Sequence, residues 1–191
     1  MQKDSSVAMD SLVNQFLIAM PMLDDSYFGR TLIYMCEHDQ EGAMGLVVNR
    51  EADITIKQVL SELDLETETP ETEKKVLIGG PVQTDRGFVL HNDSQKWSSS
   101  LNLSEQITVT TSKDILNSIG NDQGPNKYLM ALGYSGWSAG QLEQEIADNT
   151  WLTVNADPQL IFDTPIEKRW EKALEVLGIS IEQLSTVAGH A

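Results

Sequence analysis

The sequence is poor in positive charge, which limits the partners that it can bind directly. Its 13 lysine and arginine residues stand against 29 aspartate and glutamate residues, so the formal net charge is −16. Nucleic-acid phosphates and anionic membranes repel such a chain unless a local basic patch overrides the field. The short basic clusters Lys74-Lys75 and Lys168-Arg169 follow or alternate with glutamates and form no basic face. We therefore expect no direct binding to nucleic acid or to a membrane.

Cysteine and long apolar runs are also scarce. Cys36 is the single cysteine, so no intrachain disulfide can form, and a lone thiol among many core-forming residues indicates a reducing compartment. The apolar stretches at 16–20 and 43–48 are far shorter than the roughly 20 residues that span a bilayer. Residues 1–6 contain an aspartate and are not followed by the apolar region of a signal peptide. We expect a cytoplasmic protein.

The apolar content predicts one well-packed core. An apolar fraction of 40% in 191 residues is sufficient for a single domain, which we place at residues 11–191 after a flexible N-terminus at 1–10. Segment 64–75 is rich in glutamate and threonine. Because it has too few apolar residues to offset the entropy of ordering, we expect a mobile acidic loop there.

Hydrophobic patterns and turn residues predict a mixed α/β or α+β fold. Segments 32–36 and 43–48 read as a β-hairpin, and 76–78 and 88–91 read as a second hairpin across a tight turn at 84–87. Further strands are predicted at 16–20, 107–110, 128–132 and 151–154, and helices at 112–119, 138–149, from Thr55, and from Thr164 to Gly178. Thr55 with Gln58 and Thr164 with Glu167 have the capping-box spacing.

The segment from Gly133 to Gln141 is a candidate ligand site. A strand, a set of glycines and a helix start follow one another there, and helix N-termini with nearby glycines can receive anions. Ser138 and Gln141 have the spacing of a capping box. The candidate ligand residues are Gly136, Trp137, Ser138, Gly140 and Gln141. The alternative is structural: the glycines permit close helix–sheet packing and the cap is only a cap.

Cys36 and His38 are weak catalytic candidates. A cysteine nucleophile needs a neighbouring base, and on a regular strand these two side chains share a face. A cysteine with apolar neighbours is more often a small buried hydrophobe. The three histidines, His38, His91 and His190, form no paired metal-ligand motif, so we expect neither a metal nor a cofactor. Glu37, His38, Asp39 and His91 could meet if their strands were neighbours.

Asp85 and Arg86 are a further candidate, together with Arg30. An arginine fork can hold a carboxylate or a phosphate, and positive charge is scarce in this chain. The structural alternative is that Arg86 pairs with a carboxylate at the turn.

Four stretches carry a resemblance that covers most of the chain. They are FLIAMPMLDDSYFGRTLIYMCEHDQEGAMGLVVNR (16–50), VLIGGPVQTDRGFVLH (76–91), LGYSGWSAGQLEQEIADNTWL (132–152) and the tail that begins FDTPIEKRWEKALEVLGI. The sequence thereby resembles the YqgE/AlgH family of bacterial proteins. The resemblance implies a branched mixed sheet that partly closes into a small barrel surrounded by helices. It implies fold or pocket positions, without a role for any of them, at Cys36, Glu37, His38, Gly79, Gly80, Asp85, Arg86, Gly136, Trp137, Gly140 and Gln141.

The family carries no settled enzymatic activity. Its best-known label, transcriptional regulator of alginate production, names no DNA-binding element, and the sequence shows no basic recognition helix. We therefore expect a non-enzymatic regulatory protein that acts through protein partners. One alternative is a small-molecule binding protein or enzyme that holds an anion at the glycine-rich helix start, with Arg86 or Arg30 as the anchor. The other is a regulator that binds DNA directly, which the charge opposes.

Overall fold

The computed structural model describes residues 10–21, 28–65, 67, 69–93 and 97–187. The expected flexible N-terminus at 1–10, apart from Asp10, and His190 lie outside the described residues. The strands are β1 (Gln15–Ala19), β2 (Leu32–Asp39), β3 (Gly42–Val47), β4 (Glu51–Thr55), β5 (Lys75–Ile78), β6 (Val82–His91), β7 (Ser100–Asn102), β8 (Thr108–Thr110), β9 (Tyr128–Ser138) and β10 (Trp151–Asn155). The α-helices are α1 (Ile56–Glu62), α2 (Lys113–Gly120), α3 (Gln141–Ala147), α4 (Pro158–Phe162), α5 (Arg169–Val176) and α6 (Ile181–Val187).

The strands form a branched mixed sheet, as expected. The main path runs β10-β1-β2-β3-β9-β6-β8-β7, with antiparallel neighbours throughout. The branch lies at β9, because β5 pairs with it in parallel through Leu77 and Ile78 while β4 pairs with β5. The sheet curls into a half-barrel surrounded by helices, which is the α+β architecture that the family resemblance implied.

Both faces of the curled sheet are packed against other parts of the chain. Residues 32–36 of β2 are all buried, and they alternate between two clusters. One cluster contains both Phe16 of β1 and Val109 of β8, two strands that are far apart in the sheet order. Because side chains of such distant strands meet only on the inside of a curled sheet, this cluster fills the concave face. Helices α4, α5 and α6 cover part of that face through residues such as Trp170. The convex face packs against Leu142 of α3.

A third cluster holds helices α1 and α2 against β5, β6 and β9. Ile56, Val59 and Leu60 of α1 meet Ile115 and Ile119 of α2 there. Helix α1 begins with the predicted capping box, because Gln58 N–H donates to Thr55 Oγ1 at 3.3 Å and Thr55 N–H donates to Gln58 Oε1 at 2.8 Å. Within the described residues, no helix is long and apolar enough to cross a membrane.

The predicted hairpin of 76–78 with 88–91 is wrong. Strand β6 begins at Val82 and runs through the supposed turn at 84–87, and β5 and β6 each pair with β9 instead of with each other. The chain crosses from β5 to β6 through Gly80, where an added Cβ would lie 2.0 Å from the carbonyl carbon of Tyr134. A strand some fifty residues later in the sequence therefore separates the two segments.

Two predicted helix caps are also wrong. Helix α3 takes Gly140 as its N-cap, with φ of 74°, and the Ser138 side chain caps nothing, although Ser138 N–H does donate to Gln141 Oε1 at 3.0 Å. Thr164 precedes a short 3₁₀ helix (Ile166–Lys168), and its hydroxyl donates to the Gln159 carbonyl. Helix α5 nevertheless buries Trp170, and Gly178, with φ of 71°, follows its C-cap residue Leu177 and stops the helix as predicted.

The acidic segment at 64–75 contains local structure. Pro70–Glu73 form a turn of 3₁₀ helix, and Thr72 is fully buried with its hydroxyl donating to the Thr69 carbonyl at 2.7 Å. Lys75 already belongs to β5. The loop is therefore shorter than the sequence predicted, and its mobility stays a prediction.

Candidate functional site

A groove of about 540 Å³ opens on the concave face where the β2–β3 hairpin, β6 and β9 meet. We call this concavity the groove. Its lining comes from the hairpin (Glu37, Asp39, Glu41, Gly42, Ala43, Met44), from β6 (Val82, Arg86) and from β9 (Tyr134, Gly136, Trp137, Ser138). A smaller cavity of about 280 Å³ adjoins it and shares Glu37, Met44 and Arg86. Four of the predicted ligand residues, Arg86, Gly136, Trp137 and Ser138, therefore meet here.

The hairpin turn places three exposed carboxylates at the rim. Glu37, Asp39 and Glu41 are all exposed. Asp39 Oδ1 accepts from the backbone N–H groups of Glu41 at 2.8 Å and Gly42 at 3.2 Å, which fixes the turn. The rim is therefore negative on a protein that is strongly negative overall.

One wall of the groove contains a short unpaired stretch of strand edge. Residues 135–138 of β9 pair with β3 on one side. On the other side, β6 pairs with β9 at Val82 and Tyr134 and next at Gly87 and Leu132, so residues 83–86 of β6 form a bulge that has no partner in β9. Across the residues that the structure describes, no strand pairs with 135–138 on that side. The free stretch is short, because the Ser138 N–H donates to Gln141 Oε1 and Ser135 is buried beside Gly80.

Asp85 and Arg86 do not act as a pair. The guanidinium carbon of Arg86 lies 5.1 Å from the ring centre of Phe88, and Arg86 lines the groove. Asp85 lines a different cavity, between the sheet and helices α1 and α2. Arg30 lies apart from both, with its guanidinium carbon 5.5 Å from the ring centre of Trp170. The structure thus brings only Arg86 to the groove.

A β-bulge separates Cys36 from His38, so the prediction that they share a face is wrong. Met35 pairs with Gly45 and Glu37 pairs with Met44, which leaves Cys36 as the extra residue of β2. Cys36 is 2% exposed and belongs to the concave-face cluster. Its burial, and secondarily the charge of Glu37, raise the pKa of the Cys36 thiol. Such a thiol is a poor nucleophile.

His38 is fully engaged on the other face. Its Nδ1 accepts the Leu12 backbone N–H at 3.0 Å, so the proton of the neutral ring is on Nε2 and faces Glu143 Oε1 at 2.7 Å. The hydrogen bond from His38 lowers the pKa of Glu143. With both ring nitrogens occupied, His38 has no position left to act as a base on a ligand in the groove.

Glu145 is a structural residue that the sequence analysis missed. Its Oε2 accepts from the indole N–H of Trp137 at 2.9 Å and of Trp151 at 2.8 Å, and its Oε1 accepts from Gln141 at 3.0 Å. The rings of Trp137 and Trp151 pack edge to face, 6.1 Å apart. The side chains of Trp137 and Gln141 therefore stabilise the fold through Glu145. Trp137 also lies in the lining of the groove. Only the four-residue spacing of Gln141 and Glu145 on a helix hinted at this contact.

The structure places part of the glycine-rich helix start outside the groove. Gly140 and Gln141 do not line the groove, and α3 has only seven residues. The backbone N–H of Ser138 donates to the Gln141 side chain and is therefore not available to a ligand. Gly140 supplies the left-handed backbone that turns the chain from β9 into α3.

A second cavity, of about 380 Å³, lies between α1, α2 and the sheet. Its floor is apolar, with Leu63, Leu116, Met130 and Leu132, and Asp85 lies at its rim. For metal ions, a search of the described ranges found no group of three or more histidine, cysteine, aspartate and glutamate side chains placed to hold one.

Comparison with known proteins places the chain in a family. A family model described as AlgH-like matches residues 16–182. The UPF0301 protein of Vibrio vulnificus (strain YJ016) is 53% identical over 186 residues, covering 95% of this chain and all of that protein. A UPF0301 protein of Shewanella sp. (strain ANA-3) is 52% identical over 187 residues, covering 96% and 100%.

Two solved structures share the fold. The solution structure of the AlgH protein from Pseudomonas aeruginosa has a TM-score of 0.79 and 44% identity, with both chains covered completely. The crystal structure of protein DIP2367 from Corynebacterium diphtheriae has a TM-score of 0.71 at 19% identity, with 88% of each chain covered, and supports the fold alone. The chain belongs to the AlgH-like, or UPF0301, family.

Proposed function

We propose that this chain is a non-enzymatic regulatory protein that acts in the cytoplasm by binding a protein partner in the groove. The observation that carries the proposal is a concavity with a carboxylate rim and, in one wall, a short stretch of strand edge near Gly136 that pairs with no other described strand. Backbone edges are surfaces that proteins use to bind one another. The rim of Glu37, Asp39 and Glu41, on a chain with a net charge of −16, favours a positively charged partner.

The side chains near the groove support binding rather than catalysis. Cys36 is buried with a raised pKa, and both nitrogens of His38 are engaged on the opposite face of the sheet. A role in transcription, which the label of the family suggests, would then run through the protein partner. Direct contact with DNA is opposed by the net charge.

Site-specific photocrosslinking in bacterial cells tests the proposal. A benzophenone amino acid at Glu41 or Arg86 reports on the groove, and the same group at exposed Gln144 on α3 is the matched control. We expect one discrete adduct from the groove positions alone. It should disappear when Glu37→Gln, Asp39→Asn and a salt increase weaken the electrostatics. Identical adducts from Gln144, or none from the groove, would contradict the proposal.

The cavity between α1 and α2 supports a second candidate, a small-molecule binding protein. Its volume of about 380 Å³ is within the range of ligand pockets, and its floor is apolar with polar groups at the rim. A thermal-shift panel of apolar carboxylates, nucleotides and phosphorylated metabolites tests it. A ligand at 100 times its dissociation constant adds about 2.7 kcal/mol of stability. A shift that Leu116→Trp abolishes would favour this candidate, and a flat panel would remove it.

A further inference from the structure

We infer that the cavity between α1, α2 and the sheet binds an apolar α-amino acid in its zwitterionic form. The inference rests on the second candidate function, whose ligand it specifies, and it does not depend on the groove. At about 380 Å³, the cavity lies at the lower end of the roughly 300–1,000 Å³ range of ligand pockets. Its size therefore suits a small metabolite.

The floor of the cavity favours an apolar side chain on the ligand. Leu63, Leu116 and Leu132 line the floor and pack against the core cluster of α1 and α2, but each of them is only partly buried. A ligand that covers them removes further apolar surface from water, which is the main source of affinity for such a molecule.

Gly87 keeps the floor open. It follows the bulge at 83–86 of β6, and its φ lies outside the left-handed region, so the backbone does not require glycine there. A Cβ at Gly87 would meet nothing closer than Met130 Cε at 3.8 Å and Leu132 Cδ2 at 3.9 Å, which are ordinary contacts. A glycine in a strand is typical of a bulge or of a place where a ligand approaches closely. Because Gly87, Met130 and Leu132 all line the cavity, a larger side chain at this position would occupy it.

Within the described residues, three charged side chains at the rim of the cavity have no ion-pair partner. The other described lysines each pair with a carboxylate: Lys57, Lys74, Lys75, Lys127, Lys168 and Lys172. Lys113, the first residue of α2, is the one described lysine without such a partner. Glu62 at the end of α1 and Asp85 on β6 are likewise exposed and unpaired in the part of the chain that the structure describes. The rim therefore offers one positive and two negative groups to a ligand.

These rim charges specify the head group of the ligand. Lys113 attracts a lone carboxylate or phosphate, but Glu62, Asp85 and the net charge of −16 repel it. Lys113 in turn repels a lone amine. An α-amino acid carries both charges on one carbon atom, so its carboxylate can face Lys113 while its ammonium group faces Glu62 or Asp85. Of the three head groups, only the zwitterion can give every rim charge an opposite neighbour.

Ligands that share one apolar body test the head group. One set is L-leucine, 4-methylpentanoate, which lacks the amine, and 3-methylbutylamine, which lacks the carboxylate. A second set is L-phenylalanine, 3-phenylpropanoate and 2-phenylethylamine, and glycine is the control without an apolar body. Calorimetry at low salt measures binding. We expect at least one of the two apolar amino acids to bind at least fivefold more tightly than both of its analogues, and glycine to show no binding.

Protein variants locate the ligand. Lys113→Gln should weaken binding of the amino acid at least threefold without weakening the amine, whereas Glu62→Gln with Asp85→Asn should weaken the amino acid and the amine but not the carboxylate. Gly87→Leu should abolish binding by filling the floor. Lys172→Gln with Glu175→Gln on α5 is the matched control and should change nothing. Because the three charged side chains are exposed, their variants keep the inference testable if Gly87→Leu does not fold.

The outcomes separate the inference from the candidate function. An analogue that binds as tightly as its parent amino acid would overturn the zwitterion and leave the small-molecule candidate standing. Amino acid binding that none of the cavity variants weakens would overturn the inference by placing the site elsewhere. If none of these probes binds, the inference fails, and the candidate function fails with it only when the wider thermal-shift panel is also flat.

Discussion

Removing the Glu145 carboxylate should destabilise the protein more than the loss of a carboxylate on a helix surface usually does. The Glu145→Ala change leaves two buried indole N–H groups, on Trp137 and Trp151, without their shared acceptor. A hydrogen bond to a charged group contributes about 1.5–3 kcal/mol. Because Glu145 is partly exposed, water can replace part of the loss, and we expect about 2–4 kcal/mol in total.

Glu145→Gln should cost much less. The glutamine carbonyl can still accept from the indoles, so the variant loses only the assistance of the charge, about 1 kcal/mol or less. Urea unfolding followed by tryptophan fluorescence measures both variants, with Glu62→Ala on α1 as the control for a helix carboxylate. For a chain of this size, a loss of about 2–4 kcal/mol lowers the melting temperature by about 5–15 °C. A loss below about 1 kcal/mol for Glu145→Ala would refute this reading of the contact.

Four further predictions follow from single contacts. Gly136→Ala should leave the free energy of unfolding unchanged or raise it by about 0.5–1 kcal/mol. Gly80→Ala should lower it by more than about 2 kcal/mol, because the added methyl group would overlap the Tyr134 backbone. Calorimetry compares the two variants. Burial lowers the pKa of His91, so this histidine binds a proton more readily in the unfolded chain than in the folded protein. The free energy of unfolding should therefore fall as the pH drops below about 6.5, and His91→Gln should remove this dependence in a series of urea titrations. A wild-type stability that does not change over this pH range would contradict the prediction. Cys36 should resist iodoacetamide in the native protein at pH 7.5 and react in guanidinium, and rapid native alkylation would show that the thiol is accessible. Arg169→Met should cost about 2–4 kcal/mol in urea unfolding because the buried guanidinium donates to the Thr164 and Val48 carbonyls, and a neutral result would contradict that role.

Local patterns predicted the elements whose signals lie close together in the sequence. The capping box of Thr55 and Gln58 and the β2–β3 hairpin each lie within a short segment, so their spacing alone was informative. The 76–78 and 88–91 pairing was wrong because its competitor, β9, begins at Tyr128. No local pattern shows that a later strand will enter between two earlier ones.

The candidate site was predicted in composition but not in geometry. The sequence singled out Gly136 and Ser138 by their glycine-rich surroundings, and the structure places both at the groove. It could not show the bulge at Cys36, because an extra residue in one strand is visible only against its partner. The shared acceptor at Glu145 was missed for a similar reason, since Trp137 and Trp151 meet it only after the fold forms.

Chemical-shift mapping of the isotope-labelled protein with a basic peptide of alternating lysine and valine residues tests the proposed groove most directly. The proposal predicts shifts of the backbone amides that line the groove, at 41–44, 82–87 and 134–138. Shifts that spread over the acidic surface of α5, or that centre on the cavity between α1 and α2, would contradict it.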